Sequence, residues 1–195
     1  MQPVRDYELR ALFLHAVEIL ERLGIPYMVV GGFAAILHGQ PRLTLDVDIV
    51  VDMRAEHIAP LAAAFPMPDY YADEEAMQDA LRRRLPFNII QPSTGAKLDL
   101  VPLTDDPLTQ SAFARRERTT YDAEGHSAAF ICAEDILLAK LRAYKESGSD
   151  KHFRDALGIW IAQRGRLDLQ RIRRRASRSE LLELLEQVLR QAASL

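Results

Sequence analysis

Asp46 and Asp48 stand two apart in the run Leu45-Asp46-Val47-Asp48-Ile49-Val50-Val51. Strand alternation turns both acids to one face and sends Leu45, Val47, Ile49 and Val51 to the other. A third acid, Asp99, lies between apolar residues in Lys97-Leu98-Asp99-Leu100, a second strand able to neighbour the first. Three carboxylates converging on one sheet face repel one another unless something cationic sits among them. A hard divalent cation suits them: it takes carboxylate oxygens, keeps waters and bridges to phosphates. Two such ions can stabilise both the attacking and the leaving oxygen of an in-line phosphoryl-type displacement. The expected cofactor is therefore Mg²⁺, or Mn²⁺ in its place.

Gly31-Gly32 is the second feature with chemistry in it. A strand ending in two glycines and leading into a helix lets the backbone approach phosphates closely, with N–H groups and the helix dipole favouring an anion. Taken alone, the pair reads equally well as a bare turn.

These residues need a frame. Leu9, Leu12, Phe13, Ala16, Val17 and Leu20 make a helical stripe over residues 6 to 23, ended by Gly24 and Pro26. Tyr27 to Val30 read as a short buried strand, 33 to 38 as a short helix, and 45 to 51 as the clearest strand. Helices are expected over 54 to 64, with Asp52 as its cap, and over 73 to 84. Phe87 to Gln91 and Ala96 to Val101 flank the turn cluster Pro92-Ser93-Thr94-Gly95, which predicts a hairpin. Beyond about residue 105 the pattern is mostly helical, with short strands near 119 to 122 and 127 to 131. Helices follow over 133 to 146, 151 to 163 and 168 to the end. The organisation is an α/β half, 1 to 132, followed by a helical half, 133 to 195.

Composition narrows the class. The chain has 195 residues, 48% of them apolar and 27% charged, enough to bury a sizeable core. Its formal net charge of −3 gives no global field for nucleic acid, so any such contact needs a local patch. A single cysteine, Cys132, excludes an internal disulfide framework and a cysteine-based zinc site, and reads as a buried thiol just before a helix. The N-terminal residues lack the apolar core of a signal peptide, and no stretch approaches a membrane span, so a cytoplasmic protein with no membrane partner is expected.

The spacing of the glycine turn, Asp46-Val47-Asp48 and the later Asp99 resembles the polymerase-beta-like nucleotidyltransferase superfamily. The string Val29-Val30-Gly31-Gly32-Phe33-Ala34-Ala35, then His38-Gly39, then Pro41-Arg42-Leu43-Thr44-Leu45-Asp46-Val47-Asp48 is similar to its AbiEii-like branch, which contains bacterial toxins. The resemblance implies an α/β (α+β) nucleotidyltransferase fold, a small mixed sheet flanked by helices and followed by helices. It implies that Asp46 and Asp48 bind metal and that Asp99 binds metal and activates the acceptor hydroxyl. Gly31 and Gly32 would hold the phosphates of an NTP, Thr44 would lie beside the triphosphate, and Arg42 would add positive charge there. In the helical half, Glu134 to Lys140 and Lys151 to Asp155 resemble family segments, which implies that Lys140 reaches the triphosphate and that Asp155 orients either Lys140 or a base.

The implied reaction moves an NMP from an NTP onto an acceptor hydroxyl. The acceptor stays open among a tRNA end, a partner toxin or antitoxin protein, and an antibiotic-like small molecule. A non-catalytic nucleotide-binding or interaction module is the competing class. Arg171, Arg174, Arg175 and Arg178 fall on one helical face, which fits either an RNA backbone or a solvated face paired with Glu180, Glu183 and Glu186. His38 and His152 lack metal-ligand spacing and read as turn or surface residues, and Trp160 as core packing.

Overall fold

The computed structural model describes residues 2–41, 44 and 46–194, with side chains from residue 9 onward. It is an α/β structure with a mixed six-stranded sheet. The first helix, α1 (Gln2–Arg22), buries Leu12, Phe13, Ala16, Val17 and Leu20, the stripe legible in the sequence. Gly24 follows at φ +65°, the left-handed position where glycine ends helices without a Cβ penalty. Strand β1 (Tyr27–Val29), helix α2 (Gly31–His38) and strand β2 (Asp46–Val51) come next.

A 3₁₀ turn at Ala55–His57 leads into α3 (Ile58–Ala63), and α4 (Glu74–Arg83) follows. Asp52 does not cap this turn, as its position suggested. Arg54 takes the cap position, its N–H donating to His57 Nδ1 at 3.1 Å, while the Asp52 N–H bonds back to the Pro26 carbonyl. The hairpin of β3 (Phe87–Gln91) and β4 (Ala96–Pro102) turns at Gly95, φ +73°. Helix α5 (Pro107–Ala114) and the hairpin β5 (Glu117–Thr120) and β6 (Ser127–Phe130) complete the sheet.

The strand order is β3-β4-β2-β1-β6-β5. β2 runs parallel to β4 and antiparallel to β1, which lies parallel to β6. Val47, Ile49 and Val51 of β2 and Leu98 and Leu100 of β4 are almost fully buried, and α1 packs on these two strands. Burying that alternate set leaves the other face for polar side chains.

The remaining helices are α6 (Ala133–Ser147), α7 (Asp150–Ala162), α8 (Leu169–Arg178) and α9 (Leu182–Ala193). The single helix expected from 168 to the end is thus two. Glu180 sits at φ +54°, and Leu181, 1% exposed, is buried just beyond the break. None of the described helices is long and apolar enough to cross a membrane.

Two compact units emerge, one of Met1–Phe33 with Leu43–Phe130 and one of Ala34–Arg42 with Ile131–Leu195. The 34 to 42 segment groups with the later helices. Within that second unit Gly39 is pressed against Ile159, where a Cβ would stand 3.2 Å from the Ile159 backbone nitrogen. His38 Nε2 donates to the Ile131 carbonyl at 2.7 Å.

Candidate active site

The parallel register of β2 and β4 decides where the acids stand. Asp48 is the direct partner of Asp99, and Asp46 is the partner of Lys97. Side-by-side partners in a sheet point to the same face, and i, i+2 residues share it. Asp46, Asp48, Lys97 and Asp99 therefore form a polar square on the face opposite the buried Val47, Ile49, Leu98 and Leu100. All four are half-buried.

Each acid is positioned differently. Thr44 donates through Oγ1 to Asp46 Oδ1 at 3.1 Å and to the Asp46 carbonyl at 3.1 Å. Asp48 is backed by Gly31. A Cβ built on that glycine would overlap Asp48 Oδ2 and stand 2.5 Å from its Cγ and 2.8 Å from its Cβ. The glycine turn and the aspartate pair are thus one packed unit, tied further by the Val30 N–H donating to the Asp48 carbonyl at 2.9 Å. Gly31 also has φ +64° and begins α2, whose first N–H groups have no partner within the helix. A carboxylate beside a helix N-terminus is stabilised by the partial positive charge there.

Asp99 has Lys97 beside it, Nζ to Oδ1 at 2.8 Å. Asp99 Oδ1 is buried, and the ammonium stands within charge-assisted hydrogen-bond distance of it. Asp99 raises the Lys97 ammonium above the usual lysine range, outweighing the partial burial that lowers it, and Asp46 and Asp48 raise it further. One lysine thus feels all three acids. Lys97 was not singled out in the sequence, although the alternation that selects Asp99 also selects the residue two before it.

Arg42 lies outside the described residues. Lys140 and Asp155 form a buried pair in the second unit, Nζ to Oδ2 at 2.9 Å with the side chains 6% and 7% exposed. Cys132 is buried at the cap position of α6, its Sγ donating to Asp135 Oδ2 at 3.1 Å. Trp160 is half-buried on α7.

The arginine face of α8 is not the open stripe that the periodicity suggested. Arg171 pairs with Glu134 and Arg175 with Asp135, two buried acids in the first turn of α6. Arg173, outside the stripe, pairs with Glu186 at 2.7 Å.

A divalent cation fits the square on its donor chemistry. Three carboxylates supply hard oxygens, and a single lysine ammonium, 2.8 Å from the buried Asp99 Oδ1, leaves their summed negative charge uncompensated. Among the described residues, the tightest metal-type group is elsewhere: ligand atoms of Asp122, Glu124 and His126 lie within 4.8 Å of one another. That group is exposed at two of its three residues and is engaged by Arg10, which pairs with both Asp122 and Glu124. Asp46, Asp48 and Asp99 are not drawn together so closely, as expected of like charges with only one lysine among them.

No family model matches the chain, and a search of curated proteins finds no match. Solved structures do. ANT(2")-Ia in complex with adenylyl-2"-tobramycin is similar at a TM-score of 0.54 and 16% identity, over 87% of this chain and 97% of that one. An antigenic nucleotidyltransferase-like protein from Paracoccidioides brasiliensis is similar at a TM-score of 0.51 and 20% identity, over 91% and 93%. This chain has the nucleotidyltransferase fold. At these identities the likeness speaks for the fold alone.

Proposed function

We propose that the chain is a metal-dependent nucleotidyltransferase of the polymerase-beta-like kind, transferring an NMP from an NTP to an acceptor hydroxyl. One observation carries the reading. Asp48 and Asp99 are register partners on adjacent parallel strands, Asp46 flanks them, and Gly31 abuts Asp48 at the start of a helix. The acids, the glycine turn and the fold thus agree.

In this reading Asp46, Asp48 and Asp99 hold Mg²⁺ or Mn²⁺, which, when bound, supplies positive charge to phosphate oxygens and to the reacting hydroxyl. The work of the chain itself is local. Gly31 and Gly32 bring the start of α2 against the triphosphate without a side chain in the way. Thr44 holds the Asp46 carboxylate in place. Asp99 accepts the acceptor's proton as its hydroxyl attacks the α-phosphorus and pyrophosphate leaves. The string over residues 29 to 48 supports an RNA end or a partner protein of a toxin–antitoxin pair as acceptor.

Labelling tests the reading. The protein is incubated with each α-labelled NTP, Mg²⁺ and a cell extract, and label is sought on RNA, protein and small molecules. Transfer that disappears in Asp46→Asn, with folding retained, supports the assignment. Undiminished transfer by Asp46→Asn would show the wrong residue has been chosen. No NTP binding and no labelled product with any divalent metal would end the enzyme reading and favour an interaction module.

A further inference from the structure

Lys97 stands opposite Asp46 in the β2–β4 register, with its ammonium 2.8 Å from Asp99 Oδ1. Its side chain is 37% exposed, against 17% for Asp99, so it can swing outward without unpacking the core. A lysine ammonium brings one positive charge and donors only, and so neutralises one of the three acids. A divalent cation neutralises two and gathers several oxygens at about 2.0 to 2.6 Å. The two cations compete for the same buried oxygen, because mutual repulsion keeps both from sitting against it.

We propose that Lys97 is an exchangeable internal counter-ion: it holds Asp99 until a divalent cation enters with a nucleotide, then turns from the carboxylate toward the phosphates. This rests on the nucleotidyl-transfer reading above and assigns a positioning role to a residue outside it. Without nucleotide, Lys97 opposes metal binding. With a triphosphate present, the displaced ammonium gains a new anionic partner. Metal and nucleotide therefore favour each other's binding, and Lys97 contributes to that coupling, which linkage makes reciprocal.

The test is Mn²⁺ binding to the full-length protein, followed by electron paramagnetic resonance with and without a non-hydrolysable NTP analogue. The proteins are wild type, Lys97→Met, Lys97→Gln and Lys97→Arg, each checked for folding by circular dichroism. Without nucleotide, the two neutral variants are expected to bind Mn²⁺ roughly tenfold tighter, since a unit charge near a divalent ion has been removed. Lys97→Arg keeps the charge and is expected within about threefold of wild type. The analogue is expected to tighten Mn²⁺ binding by a larger factor in wild type than in the neutral variants. The two neutral variants differ in packing, so either one that folds decides the matter. Neutral variants with wild-type or weaker Mn²⁺ affinity overturn the counter-ion role and leave nucleotidyl transfer standing. If none of the four proteins binds Mn²⁺ even with the analogue, both readings fall together.

Discussion

Replacing Gly31 by alanine puts a methyl group where the Asp48 side chain stands. Two costs follow, and they can be separated. At φ +64° an alanine costs roughly 1 to 2 kcal/mol in backbone strain. The added Cβ also falls 2.8 Å from Asp48 Cβ and 2.5 Å from its Cγ, so the whole carboxyl group must move, not only its tip. Overpacking of this kind costs about 1 to 3 kcal/mol where neighbours yield. The sum, roughly 2 to 5 kcal/mol, is within the usual stability of a domain, so most of the protein is expected to stay folded. Gly24→Ala is the control. Gly24 has nearly the same φ, +65°, with nothing within 4 Å of its added Cβ, so it carries the strain alone. Moving a reacting group by about 1 Å costs on the order of a hundredfold in rate. Thermal denaturation and kcat/KM for nucleotidyl transfer, measured on both variants, therefore diverge. Both lose stability, Gly31→Ala more, and only Gly31→Ala loses most of its transfer. Equal melting temperatures and equal transfer in the two variants would refute the claim that Gly31 makes room for Asp48.

Other perturbations test the structure away from the acids. Asp155→Ala strips a buried lysine of its 2.9 Å partner and is expected to cost about 3 to 5 kcal/mol in chemical denaturation. The paired change Lys140→Met with Asp155→Leu should recover most of that loss; failure to recover it would point to a role beyond the pair. Arg175→Met removes the guanidinium paired with Asp135, whose side chain is 1% exposed and keeps weaker contacts such as the Cys132 thiol, and is expected to destabilise the protein more than Arg171→Met. The latter arginine is 43% exposed, and its partner Glu134 also accepts the Asp168 N–H at 2.9 Å. Asp122 titrates low, at about 2: burial acts to raise it, but the His126 N–H and ring and the Arg10 guanidinium outweigh that. Its folded value lies below the ordinary 3.8, so the stabilisation it gives is present above about pH 4 and lost as pH falls through 2. The stability gap between wild type and Asp122→Asn, followed by acid titration, is expected to close across that window.

Much of the acid face was legible because strand alternation is a local property. Once Val47 and Ile49 are taken as core, Asp46 and Asp48 must share the other side, and Leu98 and Leu100 do the same for Asp99. Pairing β2 with β4 is another matter. These strands are parallel, separated by α3, α4 and β3, and their register rests on long-range packing that no short pattern encodes. Lys97 was overlooked for a different reason, since a charged residue at the edge of a strand usually means solvent. The break between α8 and α9 was hidden because Ser179-Glu180 carries neither glycine nor proline, although the chain adopts a left-handed turn at Glu180. The arginine stripe misled in the same way. Periodicity finds a basic face but cannot show that Glu134 and Asp135, far away in sequence, already occupy two of its members.

Where the groups of the acid site sit in the chain bears on how it works. Gly31, Thr44, Asp46, Asp48, Lys97 and Asp99 all fall within one compact unit, Met1–Phe33 with Leu43–Phe130. Thr44 fixes one carboxylate by a hydrogen bond, Gly31 fixes the second by contact, and Lys97 fixes the third by charge. The first two restraints do not depend on ligand, so Asp46 and Asp48 are in place before anything binds. The third restraint is a half-exposed side chain with room to turn toward solvent, so Asp99 is the member whose partner can change. The sheet therefore presents a rigid pair and one adjustable acid. For the proposed transfer, that arrangement suits a site in which Asp46 and Asp48 are preorganised, while Asp99 exchanges its lysine for an entering divalent cation.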